Sequence, residues 1–162
     1  MTAWEKTYPL LMIVGSLALS VVPLPAAARL LEPDWPAVLL IYFSLTRPGQ
    51  FGLLTAFWLG LGLDVLTGQL LGQNALGLIT LSYLSERFHL RIRAFPLSQI
   101  IGTGGVLLLV YQFVLFWIDG VAGENVPAIG RVGAVLTGTL LLAVALAVRS
   151  EGAQETRARI EA

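Results

Sequence analysis

Residues 51–76 constrain this chain more than any other stretch. They read FGLLTAFWLGLGLDVLTGQLLGQNAL, an apolar run in which Asp64 is the lone charge. Gly52, Ala56, Gly60, Asp64 and Gly68 recur every fourth residue, which on an α-helix lines up a slowly drifting stripe of small side chains with one carboxylate near its end. In lipid the hydrophobic drive between helices is gone, and small residues at this spacing let a second helix come close. An ionised Asp at mid-bilayer costs roughly 2.5–3.5 kcal/mol on insertion scales, so a carboxylate on such a stripe is expected to face protein rather than lipid. The stripe therefore reads as a docking seam for another helix, a partner-binding or structural motif, with Asp64 as its polar fixture and Gly72 just beyond it.

Composition sets the solvent. With 56% apolar residues, 12% charged residues and a mean hydropathy of +0.80, the chain is much more apolar than a soluble domain, where about a quarter of residues carry charge. It is expected to be an all-α, polytopic transmembrane helix bundle. Its 162 residues hold five or six spans of roughly 20 residues each, with no room for a second folded domain. A formal net charge of zero lacks the basic excess of a nucleic-acid binder, so no nucleic-acid role is expected. The sequence has no cysteine, which excludes disulfides, thiolate catalysis and cysteine-ligated metal.

In order, spans are expected at about 9–22, 35–46, 51–65, 71–84, 97–118 and 132–148, forming one bundle over 1–148. A polar cytoplasmic tail of 149–162 follows, in which Glu155 and Arg159 lie four apart and favour a short helix. The segment 24–28 has the small-residue look of a signal-peptidase site, but Glu5 opposes Lys6 in a weak leader, so retention of the first span is the favoured reading. Span 35–46 is the least secure. Its 12 residues extend about 18 Å, against a hydrocarbon core of about 30 Å. Asp119, Gly120, Gly123 and Glu124 read as an acidic loop. Six spans with both termini in the cytoplasm put eight of the ten Lys and Arg residues inside and only Arg29 and Arg131 outside. The strongest part of that signal is Arg87, Arg91 and Arg93, expected to fix topology and to contact lipid headgroups or a cytoplasmic partner.

Two readings of Asp64 stay open. One is structural, a carboxylate bonded to backbone donors of the 68–72 turn or reaching interfacial water. The other is functional, a pin for a partner helix, a proton-linked carboxylate or part of a ligand site. The lone histidine, His89, lies among arginines and cannot form a histidine metal cluster. Nothing resembles a phosphate-binding loop, a nucleophile elbow or paired metal carboxylates, so no catalytic residue, metal or cofactor is expected.

Between residues 33 and 84 the motifs fall into a familiar order. Pro33-Asp34-Trp35-Pro36 precedes an apolar segment, and Pro48 lies in the next turn. Gly60-Leu61-Gly62-Leu63-Asp64, Gly68, Leu71-Gly72, Ala75-Leu76 and Tyr83-Leu84 follow. This resembles the MreD family of bacterial rod-shape-determining membrane proteins. The resemblance implies a non-enzymatic inner-membrane member of the cell-elongation machinery. It would bind the membrane-anchored scaffold MreC and work with MreB, RodA and an elongation-class penicillin-binding protein in lateral peptidoglycan synthesis. It also implies a fold similar to the substrate-binding subunits of energy-coupling-factor transporters, and carries over Gly60, Asp64, Gly68 and Gly72 as signature positions. On this reading Gly60→Leu weakens capture of MreC while leaving insertion intact. The alternative is a membrane-embedded small-molecule binding subunit of a transporter, with Asp64, Gln73 and Asn74 lining a pocket.

Overall fold

The computed structural model describes residues 3–22, 31–46, 52–92, 96–123 and 128–161, with side chains over 11–22, 31–46, 52–88, 96–123 and 129–150. Among the described residues all regular structure is helical: α1 (Ala3–Val21), α2 (Trp35–Thr46), α3 (Leu53–Thr67), α4 (Gln73–Ile92), α5 (Leu97–Ala122) and α6 (Ala128–Glu161). Two helical segments, Leu97–Ala122 and Ile129–Ser150, are long and apolar enough to cross a membrane. Their outward faces carry Phe113, Phe116, Trp117, Leu136 and Leu140, large apolar groups suited to lipid.

The short helix is the central one. Trp35-Pro36 opens α2, where proline's missing N–H falls among donors that have no partner in any helix, and Val38 N bonds back to Asp34 O at 3.0 Å. α2 packs against all of α1, α3, α4, α5 and α6. Ala37, Leu40, Ile41 and Phe43 are sealed from solvent, with Leu78, Leu81, Leu108, Tyr111 and Leu142 closing over them. A helix enclosed by protein need not match the bilayer thickness, because its ends meet other helices rather than hydrocarbon. That resolves the length problem the sequence poses.

Of the two uses open to the small-residue stripe, partner-binding or structural, its middle part serves a structural one, as a seam inside this chain. α3 and α4 form the most extensive helix pair, and Ala56, Gly60 and Asp64 are buried against it. A Cβ at Gly60 would overlap the Cα of Ala75 and stand 2.5 Å from its N and 2.8 Å from the carbonyl C of Asn74. Gly52 is the exposed N-cap of α3, and Gly68, at φ +67°, is its left-handed C-cap, so neither end of the stripe belongs to the helix face. Gly138 of α6 and Gly105 of α5 are also close-contact positions. A Cβ at Gly138 would lie 3.0 Å from Leu108, and one at Gly105 of α5 would lie 3.1 Å from Thr139.

Helix ends differ from the expected spans where polar residues suggest breaks. α4 starts at Gln73, not 71, and runs to Ile92 through the basic stretch. α5 continues past 118 to Ala122, so Asp119 belongs to its last turn and not to a loop, a correction to the sequence reading. Gly120 does not stop the helix, because the capping geometry falls at Gly123, in the left-handed conformation at φ +77°. α6 carries helical backbone through the expected tail to Glu161. The segment 24–28, the turn at 47–50 and the side chains of His89, Arg91 and Arg93 lie outside the described residues, while Arg87 is exposed on α4.

Candidate functional site

The polar residues gather at one end of the bundle, where α1, α3 and α5 finish and α2, α4 and α6 begin. The first cluster is built around Asp64, on the last turn of α3. Gly68 ends that helix, its N–H bonding back to Asp64 O, and Gly72 at φ +99° turns the chain into α4. This places the first backbone donors of α4 directly over the carboxylate. Gly72 N donates to Asp64 Oδ2 at 2.8 Å, and Asn74 N and Nδ2 both donate to Oδ1 at 2.9 Å. A helix begins with four N–H groups lacking intrahelical partners and a partial positive charge. Asp64 meets both needs from the preceding helix, at only 1% exposure.

Asn74 extends the cluster. Its Nδ2 also donates to Gln69 Oε1 at 2.7 Å, and its Oδ1 accepts from Tyr111 Oη at 2.9 Å, tying the turn to α5. The Tyr111 ring lies where α4 has no side chain: a Cβ at Gly77 would come within 2.7 Å of its Cε2. We expect Tyr111→Phe to keep this packing and leave Asn74 Oδ1 without its donor. The cost is about 1–2 kcal/mol, read as a lower thermal unfolding midpoint of the purified protein. An unchanged midpoint would show that the tie contributes nothing.

The second cluster starts one residue away. Gln73 Nε2 donates to Asp119 Oδ1, and Arg131 Nη2 pairs with Asp119 Oδ2. Arg131 Nη1 reaches Gln112 Oε1 at 3.3 Å, and Gln112 Nε2 donates to Asp34 Oδ2. The guanidinium also stands 5.9 Å from the centroid of the Phe116 ring, and its Nε is buried without a partner. Burial pushes the Asp34 carboxyl up to about 6, opposed by Arg131 and by the Gln112 hydrogen bond and reinforced by Glu32. Helices α4, α5 and α6 and the entry to α2 are thus joined by one chain of polar contacts.

These side chains line a cavity of about 410 Å³, shared by the end of α1 at Ser20, Glu32 and Asp34 before α2, Leu63 of α3, and the ends of α4, α5 and α6. Of the residues expected to line a pocket, Gln73 and Asn74 do; Asp64 lies behind them, occupied by the start of α4. The network members Asp34, Tyr111, Gln112, Asp119 and Arg131 were not singled out as site residues. A signal existed in the spacing. Gln112 and Asp119 are seven apart, two helical turns on one face of a long apolar span, and Tyr111 adjoins them. Among the described residues no group of three or more His, Cys, Asp or Glu is placed to hold a metal ion.

Fold and site together define a helical membrane protein whose buried polar side chains are largely engaged in holding its own helices to one another. The chain belongs to the MreD family: it matches the family described as rod shape-determining protein MreD over residues 5–147. It is similar to the rod shape-determining protein MreD of Haemophilus influenzae, at 32% identity over 80 residues, a match covering 49% of this chain and 49% of that one. The aligned part thus spans about half the length of that relative. No solved structure matches. The family is described as one of rod shape-determining proteins.

Proposed function

We propose that this chain is a multi-pass, non-enzymatic component of the bacterial cytoplasmic membrane that binds MreC and helps to organise lateral peptidoglycan synthesis during rod-shaped growth. MreB, RodA and an elongation-class penicillin-binding protein belong to the same assembly in this reading. The observation that carries it is the family match over residues 5–147. The burial of the polar clusters supports a structural use of those groups. All six helices cross or fill the membrane, with both termini in the cytoplasm, an orientation that rests on the excess of Lys and Arg on that side. The face at Ala56, Gly60 and Asp64 is already filled by α4, so a partner helix has to use an outward face.

Four exposed positions sample those faces: Val14 on α1, Trp58 on α3, Val106 on α5 and Leu136 on α6. A photocrosslinking amino acid placed at each, in cells, is expected to trap MreC from at least one position and not from all. Failure to trap MreC from every face, with folded protein at normal levels, would remove direct MreC binding from the proposal. A second reading, the small-molecule binding subunit of a transporter with a fold like that of energy-coupling-factor substrate-binding subunits, draws support from the polar cavity. Recovery of a transporter ATPase in place of MreC would favour it.

A further inference from the structure

The outward apolar faces of the bundle differ in length. Among the described residues, exposed apolar groups run from Leu97 to Val121 on α5, about 36 Å along the helix, and from Ile129 to Val148 on α6, about 28 Å. Either suits a hydrocarbon core of about 30 Å, since an overlong helix fits by tilting. On α6 the exposed Arg149 follows directly at the inner end.

The α3 and α4 faces fall short. On α3 the exposed apolar groups of the helix run from Leu53 to Leu66, about 20 Å, with exposed Gly52 before them and exposed Gln69 after. Leu70 and Leu71, also exposed, belong to the turn beyond. α4 starts at Gln73 in the outer polar cluster, and its outward side carries Leu76 and Tyr83 before exposed Arg87, about 21 Å from Gln73. Tyrosine and arginine hold a helix at the membrane surface, and a guanidinium there complements lipid phosphate. α3 and α4 pack on each other, and α3 touches neither α5 nor α6 among the described residues, so the two short faces form one side of the bundle. Enclosure by protein accounts for the 12 residues of α2 but not for this side, which faces outward, and tilting would only shorten it further.

We infer that the partner of the α3–α4 side is a locally thinned lipid surface, with the bilayer narrowed there, Arg87 on its inner phosphates, and full thickness kept along α5 and α6. This rests on the multi-pass membrane reading and adds to it the place where the bilayer deforms. Spans too short for a flat bilayer would gather along this rim, because their mismatch is relieved there.

The chain has no cysteine, so single cysteines can carry a nitroxide without background. Labels go on outward positions of α3 from Gly52 to Leu66 and of α5 from Leu97 to Val121, in the full chain in nanodiscs of dioleoyl phosphatidylcholine. Collisions of each label with oxygen, which concentrates in hydrocarbon, and with a water-soluble nickel chelate give its depth. The oxygen-rich band is expected to measure about 20 Å along α3 and about 30 Å along α5. Gly52 and Leu66 lie about 21 Å apart, so a flat bilayer cannot leave both at its surface. Bands of equal width on the two helices would overturn the thinning, as would α3 labels shielded from both reagents by a second copy or another helix. An oxygen-rich band on neither helix would instead remove the membrane reading itself.

Discussion

Gly60→Ala is expected to destabilise the bundle by about 1–3 kcal/mol, the usual cost of overpacking, with Gly60→Leu worse. The added Cβ meets Ala75 and Asn74 backbone and no movable side-chain tip, so relief requires α4 to shift away from α3. That shift would carry Gly72 and Asn74 off the Asp64 carboxylate, adding lost hydrogen bonds to the steric cost. Gly102→Ala has the opposite expected sign. Nothing lies within 4 Å of its Cβ position in the second turn of α5, so alanine there gains about 0.5–1 kcal/mol of helix preference without a clash. Thermal unfolding of the two variants in detergent, beside wild type, checks both signs at once. The comparison also separates two accounts of the stripe: a free docking face predicts normal stability and lost MreC capture for Gly60→Leu, whereas the internal seam predicts that stability fails first. A Gly60→Leu protein as stable as wild type would place α4 elsewhere.

The stripe illustrates how far periodicity reaches. Ala56, Gly60 and Asp64 were readable as one close-contact face, because the fourfold spacing fixes which side of a helix is small. What fills the face was not readable. In a membrane protein the inside and the outside of the bundle are both apolar, so no hydrophobic contrast marks which small face is internal. The limits of α2 were legible for a local reason, the Trp35-Pro36 start, but its central position was not, since a run buried in protein and a run facing lipid have the same composition. In the sequence Asp119 and Arg131 read as loop or topology charges, because the nearby glycines suggest a break. The helix persists to Ala122, and the two charges reach each other across the α5–α6 connection, a pairing only the tertiary fold creates. The Asp64 turn was the most legible part of the site: glycines at 68 and 72 mark the reversal, and the structure gives both positive φ.

Asp64→Ala is expected to cost about 3–5 kcal/mol, the scale of removing one partner from a buried charged network. Three donors lose their acceptor at once, Gly72 N, Asn74 N and Asn74 Nδ2, in a position with almost no access to water. Asp64→Asn is milder, about 1–3 kcal/mol, because a carbamoyl oxygen replaces Oδ1 toward Asn74 while its NH2 group confronts the Gly72 N–H, donor against donor. The order alanine, then asparagine, then wild type is therefore a property of the acceptor geometry, readable from unfolding midpoints. Hydrogen exchange adds the local readout: the amides of Gly72 and Asn74 should lose protection in both variants, with amides in the middle of α5 changing least. A double-mutant cycle with Asn74→Ala isolates the pair, and a coupling of about 0.5–3 kcal/mol is expected for residues in one network. Proton-linked chemistry at Asp64 predicts a different pattern, with Asp64→Asn folding normally, its amides fully protected, and rod shape lost in cells that carry it. That outcome would turn Asp64 from the anchor of a helix start into a functional acid. Loss of stability in step with loss of shape instead ties the requirement for Asp64 to the turn it holds and, through Gln73 and Asn74, to the wall of the cavity beside it.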